Sequence, residues 1–210
     1  GPGVPLNDIV AEAASRGISP PFVIRLQDVL RNQVESINQS FIDAISEAGF
    51  GGRYRGVFPI KVNHLREVVE EIMDAGTPYN FGLEVGSKPE LIAAMAIHEN
   101  PESLLICNGY KDDAFIRLAL SGLRIGKKII LVIEKLEELA RILELAEEMD
   151  ITPQIGIRIR IQTKGQGKWA TSGGDDSKFG LNTSELVEAA KLLKANKVTV
   201  LVSKSKCNSV

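Results

Sequence analysis

The sequence predicts an α/β fold, an incomplete (β/α)8 barrel carrying about six of its eight strands. Two observations lead there. Apolar runs of strand length alternate with helical patterns along most of the 210 residues, the order that builds right-handed βαβ units and a parallel sheet. Three of those runs also carry one apolar face and one face of small or charged residues at the period of two expected for a strand. A doubly wound sheet is covered by helices on both faces and wants both apolar. A barrel is covered only on its outside, and its strand ends can hold charges within a C-terminal mouth. The second observation therefore selects the barrel.

The strand candidates, in order, are 22–26 (FVIRL), 56–62 (GVFPIKV), 80–85 (NFGLEV), 103–107 (SLLIC), 128–133 (KIILVI), 154–161 (QIGIRIRI) and 197–202 (KVTVLV). Helical patterns fall at 64–75, 88–98, 111–121, 134–149 and 183–195, the last capped by Asn182 or Thr183. The clearest is EKLEELARILELAEEM, where Leu136, Leu139, Ala140, Leu143 and Ala146 share one face. Consecutive βα units thus begin at Val57, after an N-terminal segment (1–55) leading into the barrel. The partial barrel is expected over 56–202 and a polar tail over 203–210. On 56–62, Phe58, Ile60 and Val62 oppose Val57, Pro59 and Lys61. On 80–85, Phe81, Leu83 and Val85 oppose Asn80, Gly82 and Glu84. On 155–161, four isoleucines oppose Gly156, Arg158 and Arg160. Pro59 cannot donate to a ladder, so an irregularity is expected there.

Composition narrows the function classes. With 25 Lys plus Arg against 27 Asp plus Glu the net charge is −2, so no global field points to nucleic acid or an anionic membrane. No apolar run approaches the ~18 residues of a membrane span, and no signal-peptide pattern opens the chain. Cys107 and Cys207 make neither a disulfide framework nor a metal spacing, which fits a reducing compartment and a cytoplasmic location.

The chemistry-bearing candidates are Lys61, Glu84 and Arg158, all inward-facing near the C-terminal ends of their strands. A lysine beside a carboxylate in an enclosed mouth suits a Schiff base with an aldehyde cofactor; the competing reading is a structural ion-pair cluster. Ser87 and Glu90 suit a helix cap with a capping box. The glycines of GQGKWATSGGDD (165–176) suit a phosphate cradle, but no helix opens on that stretch, and a loop anchored by Trp169 is the preferred reading. His64 reads as a solvated cap, His98 as structural, Cys107 as a buried strand residue, and GYKDD (109–113) as a turn into a helix.

Four blocks then carry a resemblance: FPIKVN (58–63), GLEVGSKPEL (82–91), ICNGYKDDAFIRLAL (106–120) and GKWATSGGDDSKFGL (167–181). Together they resemble the biosynthetic arginine decarboxylases of bacteria and plants, pyridoxal-phosphate enzymes built on an alanine-racemase-like barrel. The resemblance implies conversion of L-arginine to agmatine and CO2 in polyamine biosynthesis. It implies that Lys61 holds pyridoxal phosphate covalently, that Glu84 is the acidic group beside it, and that Arg158 faces the cofactor ring. Lys178, in SKFGL, matches a lysine close to the active centre. A homo-oligomer of the full-length protein is also implied, with Mg2+ admitted as a further ion and no metal site assigned to named residues.

The same family continues with a histidine motif, a glycine-rich phosphate loop, an acidic partner for the ring nitrogen and a second, mainly β domain. None of these lies within the 210 residues. The stretch therefore reads as a barrel fragment, expected to be inactive alone. Two other functions stay open at this point: a non-catalytic pyridoxal-phosphate barrel, and a decayed paralogue that regulates a full-length decarboxylase.

Overall fold

In the computed structural model, which describes residues 3–160, 180–198 and 200–205, the strands are β1 (Val57–Pro59), β2 (Gly82–Val85), β3 (Leu104–Cys107), β4 (Lys128–Ile133), β5 (Ile155–Ile159) and β6 (Val200–Ser205). They form one sheet in the order β1-β2-β3-β4-β5-β6, every pairing parallel. A doubly wound sheet would reverse its order at a switch point. Here each strand lies beside its predecessor, which is the arc of a barrel wall.

The strand faces separate as the period of two requires. Leu83, Val85, Leu105, Cys107, Ile129, Leu131, Ile133, Ile155 and Ile157 join one core with the helices. Val57, Leu104, Ile106, Ile130 and Val132 form a second, smaller cluster on the opposite, interior face. The covering helices are α3 (Arg66–Gly76), α4 (Lys88–Ile97), α5 (Asp113–Arg124), α6 (Leu136–Glu148) and α7 (Thr183–Ala195). Their starts have local causes. Asp112 accepts the N–H of Phe115 at 2.9 Å, and Asn182 with Glu185 forms a reciprocal capping box. Ser87 caps α4, but Glu90 reaches back to the N–H of Gly86 rather than that of Ser87.

Several expectations are corrected. FVIRL is not a strand: it follows the Pro20–Pro21 pair, Val23 is exposed, and no neighbour extends the sheet to it. Ahead of the barrel stand α1 (Leu6–Ser15) and the 21-residue α2 (Gln27–Glu47), neither of which the apolar pattern revealed. The stripe that α2 buries is narrow and partly polar. Val34 and Leu30 pack with Val68, Ile72, Ala75 and Phe81, while Asn38, also buried, turns its amide onto the carbonyl of Val34 at 2.7 Å. The strand expected over 56–62 stops at Pro59, and Ile60–Val62 turns into a 3-10 helix. β2 begins only at Gly82 because Asn80 sits at φ 53°. β6 continues to Ser205, past the change to polar residues, because ladder bonds need backbone rather than apolar side chains.

Candidate active site

The interior cluster is a dry floor, and polar side chains stand at its C-terminal rim. Glu84 is in register with Ile106 of that floor. Asn108 follows Ile106, and Glu134 follows Val132, each two residues farther along the same face. Arg158 is on the matching face of β5, opposite in parity to Ile157 of the helix-side core.

Lys61 arrives by a different route from the one its strand parity suggests. Since β1 ends at Pro59, Lys61 belongs to the 3-10 turn, where alternation no longer applies. That turn still brings Nζ to 3.4 Å from Oε1 of Glu84. The two partners differ in environment: the Lys61 side chain is 64% exposed and that of Glu84 14%. The result is an accessible amine tethered loosely to a carboxylate rooted on the interior face.

Arg158 pairs on the other side of the arc. Its Nη1 donates to Oε1 of Glu134 at 3.0 Å, with the Glu134 side chain 1% exposed. β5 lies three strands along from β2, so Lys61–Glu84 and Arg158–Glu134 are two pairs at separate places on the arc. Oε1 of Glu134 also accepts the N–H of Gly109 at 2.9 Å, while Oε2 is buried without a partner. Gly109 is required there: it sits at φ +75°, and a Cβ would meet the carbonyl of Gly86 at 2.8 Å.

Behind Glu134 stands a buried ion pair. Glu138 accepts the N–H of Glu134 at 2.8 Å and the N–H of Lys111 at 3.0 Å. Nζ of Lys111 donates to the carbonyls of Gly109 and Val132, both at 2.6 Å, and lies 3.6 Å from Oε2 of Glu138. Burial holds the Lys111 amine below the ordinary lysine range, an effect opposed by Glu138 and Glu134. Asn108, Lys111, Glu134 and Glu138 were not among the residues that spacing picked out. The available signal was positional: CNGYK and IEKLEE both begin where a buried strand hands over to a loop.

The remaining candidates disperse. His64 is exposed and lines a cavity of about 670 Å3 on the outer flank between α3 and α4. His98 is buried, with Nε2 at 2.7 Å from Ser103 Oγ; burial lowers its pKa, as suits a structural residue. Cys107 is buried in the helix-side core, and its thiol is pushed up to about 12 by desolvation. Lys178, Trp169 and the 165–176 stretch lie outside the described residues.

These residues fit an aldehyde cofactor held on the interior face. Lys61 presents an accessible amine, Glu84 can take its proton, and Arg158 supplies a fixed cation. The unpartnered Oε2 of Glu134 leaves unsatisfied hydrogen-bonding capacity inside. Comparison with known proteins gives the family. A family model described as "Pyridoxal-dependent decarboxylase, pyridoxal binding domain" matches residues 33–202. The biosynthetic arginine decarboxylase of Phocaeicola vulgatus is 47% identical over 190 residues, an alignment that takes in 90% of this chain and 30% of that protein. The chain thus spans about three tenths of the length of the curated relatives it matches. Among solved structures, the biosynthetic arginine decarboxylase of Campylobacter jejuni superposes with a TM-score of 0.86 at 35% identity, over 97% of this chain and 32% of that one. A diaminopimelate decarboxylase of Helicobacter pylori, at 19% identity and a TM-score of 0.71 over 95% of this chain and 47% of that one, shares the fold.

Proposed function

The chain belongs to the pyridoxal-dependent decarboxylases, whose pyridoxal-binding domain it carries, and on that premise we propose that it is the lysine-bearing part of an arginine decarboxylase, acting on L-arginine to yield agmatine and CO2. The observation that carries the reading is the accessible Lys61 amine, held 3.4 Å from Glu84 at the mouth of a parallel barrel arc. Residues 56–202 are the cofactor-holding barrel portion, with 1–55 leading into it and 203–210 as a tail.

In this reading Lys61 is the attachment point. An amine attacks a carbonyl only when unprotonated, so Lys61 must first lose a proton, and Oε1 of Glu84 is placed to take it. Glu84 is rooted in β2 and orients the flexible lysine stem inward. Arg158, fixed by Glu134, keeps a guanidinium on the interior face, where it favours anionic groups of a bound molecule. The dry floor of Val57, Ile106, Ile130 and Val132 excludes water from beneath the site. When bound, pyridoxal phosphate supplies the electron sink for the pair released as the bond to the carboxyl carbon breaks. Lys178 belongs to this reading as a further cofactor contact, as do a cytoplasmic location and a homo-oligomeric enzyme, all carried over from the family resemblance. Magnesium is admitted as a further ion by the family resemblance alone; among the described residues no group of three His, Cys, Asp or Glu side chains could hold a metal ion. No helix of the described residues is long and apolar enough to cross a membrane.

Borohydride reduction in the presence of pyridoxal phosphate, followed by peptide mapping, tests the reading. The pyridoxyl mass is expected on the peptide containing Lys61. Label on Lys88 or Lys111 in its place would refute the assignment. With this sequence grafted into a full-length relative, label on Lys61 without CO2 release from L-arginine would reduce the function to cofactor holding.

A further inference from the structure

Asn108 follows β3 on the interior side. Leu105 and Cys107 belong to the helix-side core, whereas Leu104 and Ile106 belong to the interior floor. The N–H of Asn108 continues the ladder by donating to the carbonyl of Val85 at 2.8 Å, so its carboxamide takes the interior side in turn. Glu84 stands on the strand to one side. Glu134, which accepts the N–H of the very next residue, stands on the other.

Asn108 is 5% exposed and both amide atoms are buried, yet neither Nδ2 nor Oδ1 has a hydrogen-bond partner. An unpaired buried amide is costly on both its donor and its acceptor, since each has given up water for nothing. The other buried asparagine among the described residues shows the ordinary solution: Asn38 donates to the carbonyl of Val34. Asn108 makes no such bond, and its neighbour Glu134 carries a second unsatisfied atom, Oε2. Orphaned polar atoms from two adjacent strand ends are therefore gathered on one interior face.

We infer that Asn108 is a ligand-contacting residue whose carboxamide hydrogen-bonds pyridoxal phosphate on the interior face. The inference rests on the reading of Lys61 given above and deepens it. The chemistry matches. The cofactor is anionic, while the interior acids Glu84 and Glu134 offer it only acceptors when ionised. Nδ2 of Asn108 is a neutral donor set between them, complementing the cationic Arg158 without adding charge. Its cost in the free chain is offset only when a ligand arrives, an arrangement in which stability is given up for binding.

The test compares the chain with Asn108→Leu, which keeps a similar side-chain volume and removes both polar atoms. Melting temperature is measured without cofactor. Pyridoxal phosphate affinity is measured by the absorbance of the lysine-bound form, with borohydride mapping at Lys61. Without cofactor, Asn108→Leu is expected to melt roughly 2–4 °C higher, because an unsatisfied group has been removed. Its affinity for pyridoxal phosphate is expected to fall on the order of tenfold. Asn108→Asp, which removes the donor and adds a third acid, should lose at least as much affinity. An unchanged dissociation constant in either variant, with Lys61 labelled throughout, overturns the inference and leaves the proposed function standing. A lower melting temperature for Asn108→Leu also overturns it, since the carboxamide would then be satisfied within the free chain or by water. No label at Lys61 in the unsubstituted chain overturns the proposed function, and the inference falls with it.

Discussion

Two lysines stand beyond the C-terminal ends of the sheet, and they are opposites. Lys61 is 64% exposed and makes one long contact to a carboxylate. Lys111 has a side chain 0% exposed, two carbonyls at 2.6 Å and a carboxylate at 3.6 Å. A depressed lysine pKa is a common mark of a nucleophile, and Lys111 has one. Yet an amine enclosed by Gly109, Val132 and Glu138 has no free side from which a carbonyl carbon could approach. The contrast teaches that access separates the reactive amine from the structural one, and basicity alone would choose wrongly. Lys111 acts as a strut: it ties the loop after β3 to the end of β4 and so holds the Glu134–Arg158 pair in place.

The largest effect should come from Lys61→Arg. A guanidinium cannot make the covalent link, so pyridoxyl labelling should vanish entirely; residual label elsewhere at wild-type yield would break the contrast. Next comes Lys111→Met, which leaves Glu138 buried without its cation. Removing one partner of a buried pair costs about 3–5 kcal/mol, readable as a lower urea midpoint. Cofactor labelling at Lys61 should survive wherever the variant is folded. If Lys111→Met instead abolishes labelling in a chain of unchanged stability, the roles of the two lysines are reversed.

Glu134→Gln should be milder. The Gly109 N–H keeps an acceptor, but Arg158 loses its charge-assisted bond to Glu134, worth roughly 1.5–3 kcal/mol. Restoration of stability by the added Arg158→Met would confirm that the deficit comes from breaking the Arg158–Glu134 pair. The smallest effect is in the pH profile, where the burial that acts on Lys111 acts also on His98. Burial lowers the folded pKa of His98 from the ordinary 6.5. The unfolded chain therefore takes up a proton first as pH falls, and stability, complete above about pH 6.5, declines from there toward the folded value. Urea melts between about pH 7 and pH 5 should show that decline, and His98→Gln should flatten it. For Lys111 the sign is the same at the alkaline end, where stability rises as the pH climbs through its lowered folded value toward the ordinary 10.5.

Much of the barrel was legible locally. The isoleucines of 155–161 alternating with Gly156 and Arg158 announced an apolar and a polar face, and Ile155, Ile157 and Arg158 take those faces in the structure. The amphipathic run of 134–149 announced α6; of the two caps expected for the last helix, Thr183 or Asn182, the structure uses Asn182, in a capping box with Glu185. Pro59 announced an irregularity, though not that the strand would end there and Lys61 would fall in a turn. The helix α2 stayed hidden because its buried residues are only Val34 and the polar Asn38, with the part-exposed Arg31 held by Glu71 and Asp74. FVIRL, in turn, is apolar without any strand to join.

What the residues determined unaided are properties of one segment at a time: which side of a strand is apolar, where a helix begins, and which lysine lies beside a carboxylate once two strand ends adjoin. Tertiary structure alone decided which distant groups would meet. Gly109 reaches Glu134, Lys111 reaches Glu138, and Arg158 reaches Glu134 across gaps of 25, 27 and 24 residues. No period in the chain encodes those meetings, because register and the curvature of the sheet set them. Asn108 shows the division most clearly. Its place after a buried strand is written in the chain, but that its amide would be enclosed without a partner depends on every neighbouring strand end at once.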